Sequence, residues 1–252
     1  MNITPTVKQL LIINVIMFIG SNLIGEPAYK LFSLYFFENP NFRFWQPFTH
    51  MFMHAPMPNL MHILFNMFGL YSFGSALESI WGGKKFLFFY ISCGLGAFLL
   101  HSGVNYYFFN EAINTLASNG FPKESVLDLL NQGKIDTRWQ DVLSVSDFQG
   151  FASGYVGTTV GASGAIYGLL TAFAFMFPNA ELSLMFIPVP IKAKYFVPGL
   201  LVIDLFLGLK GSSIFGDGGS GVAHFAHLGG ALIGFLMMWY WKKNSFDNHR
   251  WN

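Results

Sequence analysis

Ser163 is the residue of this chain whose surroundings best suit nucleophilic chemistry. It stands in TVGASGAIYGLL, residues 159–170, between Gly161 and Gly164 at the head of an otherwise apolar run. Small flanking residues leave room for another backbone to approach the hydroxyl. A serine becomes an effective nucleophile only when an adjacent base removes its proton. The rest of the chain must therefore supply that base.

Two pairs of polar residues in apolar runs could complete such chemistry. His62 and Asn66 lie four residues apart in LMHILFNMFGL, and His224 and His227 lie three apart in VAHFAHLGGALIG. Both spacings put the members of a pair on one helix face. A hydroxyl, an imidazole and an amide are the nucleophile, general base and oxyanion donor that acyl transfer requires. Together the residues favour an acyl-transfer enzyme.

A helix beginning at Ser163 would add a backbone donor and an orienting ring. The first N–H groups of a helix lack intrahelical partners, and the helix dipole favours negative charge there. Tyr167, one turn further on, shares a face with Ser163 and could hold the imidazole in place. No acid is obvious for a triad, since only Asp204 lies well inside a later apolar run. These residues favour a Ser–His dyad.

Each polar residue also allows a structural interpretation. A serine in an apolar helix often bonds its own helix backbone, and histidines and asparagines can serve interhelical packing. A metal-dependent hydrolase is a further alternative, with His54, His62, His224 and His227 as ligands. The HExxH pattern is absent and no carboxylate lies near these histidines in sequence, so the metal alternative is disfavoured.

Composition indicates a polytopic membrane protein. Of 252 residues, 53% are hydrophobic and 11% charged, whereas soluble domains carry roughly 25% charged residues. A net charge of +1 argues against nucleic-acid binding. Six segments approach the length of about 20 apolar residues that a membrane helix needs. They are approximately 8–25, 59–78, 84–104, 160–177, 195–210 and 224–242, with an extended extracytoplasmic loop at 105–158.

The positive charges that flank the six segments indicate an orientation. One side collects Lys8, Lys84, Lys85, Lys192, Lys194, Lys242, Lys243 and Arg250. The positive-inside rule places that side, with both termini, in the cytoplasm. The three polar clusters then lie near the outer side. Residues 111–147 of the third loop alternate charges with short apolar groups, which predicts amphipathic helices lying on the outer leaflet, with a substrate-recruiting or gating role as the alternative.

Three segments carry a family resemblance. GASGAIYG, HILFNMFGL and AHLGGALIG resemble the signature segments of the rhomboid intramembrane serine proteases, and the match covers about residues 7–104 and 158–242. It implies an all-α, six-transmembrane-helix bundle in a bacterial inner membrane, with long first and third loops. The implied function is serine-type cleavage of single-span membrane proteins near the outer face, without a cofactor. A non-catalytic relative that binds client helices is the alternative.

The resemblance also assigns roles by position. It makes Ser163 the nucleophile and His227 the general base, with Tyr167 stacked on that imidazole. His62, Asn66 and the Ser163 amide would form the oxyanion site. Gly230 and Gly234 are implied to let the sixth helix lie close to the fourth, while Gly161 and Gly164 leave room beside the serine for a peptide backbone.

The sequence departs from the family pattern in its loops. The usual Trp-Arg of the first loop reads Trp45-Gln46, so we expect a loop-bracing contact to be lost. About three residues are added between His54 and His62. The third loop is much longer than in compact bacterial members and leads directly into Ser163. His54 and Glu78 are implied to be structural.

Overall fold

The computed structural model describes residues 2–184, 187–210 and 222–244. Over these residues the chain is mainly helical, because a helix satisfies its backbone N–H and C=O groups within one segment, which lipid cannot do. The helices are α1 (Pro5–Ile24), α2 (Glu26–Phe32), α3 (Gln46–Thr49), α4 (Leu60–Gly69), α5 (Ser75–Trp81), α6 (Gly83–Ser118), α7 (Lys123–Asn131), α8 (Val145–Val156), α9 (Ser163–Met176), α10 (Ala193–Lys210) and α11 (Val222–Asn244). The strands β1 (Glu181–Leu184) and β2 (Ile187–Lys192) pair antiparallel.

Several helices have the length and composition of membrane spans. Three qualify over the described residues, namely Pro5–Ile24, Leu60–Trp81 and Gly83–Ser118, and Ser163–Met176 is a shorter apolar helix. The second of these is α4 and α5 joined by a π-helical turn. The predicted fifth and sixth spans are helical as α10 and α11. The six-span count stays a prediction, and Arg250, counted for orientation, lies outside the described residues.

The helix that begins at Ser163 lies in the centre of the bundle. α9 packs against α6, α10 and α11, and Leu169 and Ala172 on it are fully buried. The close approach of α9 and α11 depends on glycines that face each other, one on each helix. A Cβ added at Gly230 of α11 would collide with the Gly164 carbonyl oxygen of α9. The absence of a side chain at Gly230 therefore sets the distance between the two helices.

α6 continues past the end predicted at residue 104, as far as Ser118. Its 36 residues correspond to a helix about 54 Å long at about 1.5 Å per residue, whereas the hydrocarbon core of a bilayer is about 30 Å thick. One end of α6 must therefore project from the bilayer. α7 and α8 pack on its C-terminal part. They enclose an apolar cluster, called here the second core, of Phe36, Phe109, Ala112, Ile113, Leu116, Val126, Leu130, Trp139, Leu143, Phe151 and Tyr155.

The second core corrects one part of the expectation for this loop, namely that the apolar faces of its helices lie against lipid. Val126 and Leu130 do share one face of α7, as their spacing indicated, but they are only 1% and 2% exposed. The face packs against α6 because the C-terminal part of that helix offers its own apolar side chains, Ile113 and Leu116 among them. The loop is thus a small packed subdomain on α6.

Hydrogen bonds join the end of α8 and the segment after it to the first loop. Asn39 of the first loop donates its amide to the Tyr155 carbonyl at 2.8 Å. Leu34 and Thr159 exchange backbone hydrogen bonds of 3.0 and 2.9 Å. These contacts fix the end of α8, from which the chain runs directly into Ser163.

The first loop is braced by the residue expected to weaken it. Gln46 is fully buried. Its Oε1 accepts from the backbone N–H groups of Tyr35 at 3.3 Å and Arg43 at 3.2 Å, and its Nε2 donates to the Asn41 carbonyl at 3.1 Å. The expectation of a lost bracing contact was wrong, because an amide both donates and accepts and can bond the loop backbone directly.

Glu78 and His54 both contact α1. The Glu78 carboxylate accepts from the backbone N–H groups of Thr6 at 2.9 Å and Val7 at 2.8 Å, which a helix start leaves unpaired. His54 is fully buried, with Nε2 at 2.9 Å from Asn14 Oδ1. Both contacts hold neighbouring segments against α1.

Candidate active site

Ser163 and His227 meet between two helices. Ser163 opens α9, His227 lies in the second turn of α11, and Ser163 Oγ is 3.0 Å from His227 Nε2. The His227 side chain is 21% exposed, and Ser163 is half-buried. The hydroxyl can donate to the ring nitrogen, and both groups are partly exposed.

His62 also lies near the Ser163 hydroxyl. The Ala55 backbone N–H donates to His62 Nδ1 at 3.1 Å. A neutral imidazole that accepts at Nδ1 carries its proton on Nε2. A Cβ added at Gly161 would lie 3.1 Å from that Nε2 and 3.6 Å from Ser163 Oγ. The His62 N–H donor and the serine hydroxyl therefore face a common space, which Gly161 keeps open.

Gly161 also has a backbone conformation that suits glycine alone. Its φ of 128° is one that other residues rarely adopt. Its N–H donates to the His50 carbonyl at 2.9 Å, which fixes the approach to Ser163. The residue thus has two separate reasons to lack a side chain.

Asn66 makes a local contact. Its Nδ2 donates to the His62 carbonyl at 2.7 Å, within the same helix. Its Oδ1 is buried and has no hydrogen-bond partner over the described residues. The amide keeps a second N–H for a ligand, because –NH₂ carries two donors.

Tyr167 and His227 stack. Their ring centroids are 4.2 Å apart and their planes differ by 10°. The contact agrees with the i, i+4 spacing from Ser163 and restricts rotation of the imidazole that faces the serine.

Asp204 is the residue that sequence reasoning considered but did not place. It lies in α10, is 2% exposed, and has Oδ1 at 3.2 Å from His227 Nδ1. The same oxygen is in still closer contact with His224 Nδ1. The available signal was an acidic residue within an apolar helix, which is rarely without function. Its partners lie 20 and 23 residues further along the chain, so spacing could not identify them.

The possible metal ligands that converge in the structure are not the set of four histidines considered from the sequence. Within the described residues, one set of three such side chains converges, with the ligand atoms of Asp204, His224 and His227 within 4.8 Å of one another. His54, a member of the expected set, instead contacts Asn14. Hydrogen bonds between the carboxylate and the two imidazoles account for the observed set.

Comparisons with known proteins agree on one family. The model of the Rhomboid domain family matches residues 41–120 and 141–244. "Rhomboid protein 1, mitochondrial" of Saccharomyces cerevisiae is 26% identical over 72% of this chain and 38% of its own length. "Rhomboid protease GlpG" of Klebsiella pneumoniae is 34% identical over 40% of this chain and 36% of its own. An uncharacterized mitochondrial rhomboid protein of Schizosaccharomyces pombe is 28% identical over 86% and 55%.

These similarities are confined to part of each relative. The chain spans less than two thirds of the length of the three proteins compared, between 36% and 55%. They support an integral membrane protein with a shared domain.

Proposed function

Because this chain belongs to the rhomboid family, we propose that it is an intramembrane serine endopeptidase acting on single-span membrane proteins. The observation that carries the proposal is the 3.0 Å contact between Ser163 Oγ and His227 Nε2. The contact joins a hydroxyl at a helix start to a base whose other nitrogen faces a carboxylate. Family membership alone would also fit a non-catalytic protein.

The proposed reaction begins when Ser163 Oγ attacks the carbonyl carbon of the scissile peptide bond. Its proton passes to His227 Nε2, and the carbonyl oxygen becomes an oxyanion. His62 Nε2–H and the Ser163 N–H are the nearest donors for that charge, with the second N–H of Asn66 as a further one. His227 then gives the proton to the leaving amine, and an acyl-serine forms.

Hydrolysis of the acyl-serine requires water at a site within a membrane domain. Water loses a proton to His227 Nε2 and attacks the ester carbon; the bond to Ser163 Oγ then breaks, and His227 returns the proton to that oxygen. The partial exposure of Ser163 and His227 suits this step. By contrast Asp204 and His224 are buried, so the open side of the site is the serine side.

Labelling with a fluorophosphonate tests the proposal. Purified wild-type protein in detergent is expected to gain one adduct by intact mass, whereas Ser163→Ala gains none, because only an activated serine attacks the phosphorus. The matched control is Ser79→Ala. The Ser79 hydroxyl donates to the Ala76 carbonyl of its own helix, so this variant should be labelled like wild type. A folded wild-type protein that gains no adduct would favour the non-catalytic alternative.

We also propose that both termini face the cytoplasm of a bacterial inner membrane and that the site opens outward. Cysteine accessibility tests this orientation, because the native Cys93 is buried. In intact cells, an impermeant maleimide should modify Glu124→Cys in α7 and leave Lys243→Cys at the end of α11 unmodified. Both positions are exposed. The reverse pattern would invert the topology.

A further inference from the structure

Asp204 lies where it can control the protonation pattern of His227. We propose that Asp204 is a positioning residue that holds His227 in the tautomer needed for catalysis, and that His224 anchors Asp204 for this task. The inference rests on the proposed function, since it concerns the same base. It replaces the expected dyad with a four-residue arrangement of His224, Asp204, His227 and Ser163, of which Asp204 and His224 are buried.

The directions of two hydrogen bonds indicate which ring nitrogen of His227 carries the proton. An ionised carboxylate only accepts, so the 3.2 Å contact from Asp204 Oδ1 to His227 Nδ1 requires a proton on Nδ1. A neutral imidazole protonated at Nδ1 has its lone pair on Nε2. That nitrogen is the one facing Ser163 Oγ at 3.0 Å. Without the carboxylate, the proton could reside on Nε2, where His227 could not accept the serine proton.

Charge supports the same assignment. During acyl transfer His227 becomes a cation, and a carboxylate beside Nδ1 stabilises that cation where it forms. A buried carboxylate is costly unless it is paired and hydrogen-bonded. Asp204 is 2% exposed, and its nearest partners are the two imidazoles.

His224 explains how a side chain from α10 keeps its place. It precedes His227 by one turn on α11 and donates to the same oxygen, Asp204 Oδ1, at a shorter distance than His227 does. The two rings are nearly perpendicular, at 88°. One oxygen can therefore accept from both rings without the rings competing for the same space.

Other groups around His227 do not replace the carboxylate. Over the described residues, the titratable side chains that face His227 besides Asp204 and His224 are Tyr167 in α9 and His62 in α4. Tyr167 contacts the face of the imidazole rather than Nδ1. Asp204 is thus the acceptor that the described residues provide for the Nδ1 proton.

The test compares Asp204→Asn with wild type in proteoliposomes that contain a model transmembrane substrate. The amide is isosteric but has no charge. We expect kcat to fall by about 10- to 1000-fold with KM within about twofold, and Asp204→Glu to restore part of the loss. Asp141→Asn, the same change at an exposed position, should leave both constants unchanged. A folded Asp204→Asn with wild-type kcat would overturn the inference.

A second measurement on the wild-type protein does not depend on a variant that folds. ¹⁵N chemical shifts of labelled histidine report which ring nitrogen of His227 is protonated in the neutral state, with the signal assigned through His227→Gln. A proton mainly on Nδ1 is expected, and one mainly on Nε2 would overturn the inference. Loss of activity with EDTA and recovery with Zn²⁺ would overturn it too, because Asp204 would then be a metal ligand.

The two proposals fail in different ways. A wild-type protein that gains no phosphonate adduct counts against the proposed function. If wild type and Asp204→Asn are labelled at equal rates, the serine protease proposal stands and the role of Asp204 alone is rejected.

Discussion

Replacing His227 with alanine is expected to lower the rate of substrate cleavage by about 10⁴- to 10⁶-fold while leaving the protein folded. The imidazole is the group within hydrogen-bond distance of Ser163 Oγ, and nucleophile and base act as one unit, so losing either removes most of the rate enhancement. The ring is partly exposed, so its removal leaves no sealed cavity. Cleavage of a model transmembrane substrate in proteoliposomes measures the rate, and the thermal midpoint in detergent checks the fold.

His224→Ala is the comparison for this substitution. His224 lies on the same helix and contacts the same carboxylate oxygen, but it makes its bond to Asp204 rather than to Ser163. We expect a decrease of about 10-fold, since Asp204 would keep its charge and lose one anchor. Equal losses from the two substitutions would contradict the choice of His227 as base.

Gly230→Ala is expected to have the largest effect on the fold. A Cβ at this position would collide with the Gly164 carbonyl oxygen, a backbone atom that cannot rotate away. Relief requires α9 and α11 to separate, and these helices carry Ser163 and His227. Overpacking of this kind typically costs about 1–3 kcal/mol. We expect a lower thermal midpoint and a cleavage rate reduced by at least about 10-fold.

Gly199→Ala is the matched control, because it makes the same change in a helix where nothing lies within 4 Å of the new Cβ. It should be neutral or stabilising by up to about 1 kcal/mol, as the unfolded chain loses freedom. If Gly230→Ala matched it in stability and activity, the close contact of α9 with α11 would not control the site.

The contacts foreseen from the sequence are those indicated by the residue spacing along one helix or by a known motif. The stacking of Tyr167 on the imidazole follows an i, i+4 spacing, and the approach of α11 to α9 follows from a pair of glycines. Asp204 was not placed because its position depends on how α10 packs beside α11, which periodicity along one chain segment does not encode.

The sequence predicted too early an end for α6 for a related reason. Asn105, Asn110 and Glu111 interrupt the apolar run, and polarity is a sound signal for the end of a membrane span. It is not a signal for the end of a helix. Beyond the bilayer the polar residues can be solvated, or bonded as Asn105 is to the Gly154 carbonyl at 2.9 Å, and the helix continues. The second core was missed with it, since the residues that α6 contributes, Phe109 to Leu116, all lie beyond the predicted end of the span.

We expect the second core and the bundle around α9 to be stabilised in different surroundings, the first in water and the second in lipid. We expect the bundle around α9 to lie in lipid, where urea has little access, and the second core to be held by the exclusion of water, an effect that weakens with urea and with cooling. The backbone bonds between Leu34 and Thr159 join the two. Unfolding is then not a single two-state transition. A denaturant concentration that unfolds the second core would release the segment before Ser163. We expect catalysis to stop while the membrane helices persist.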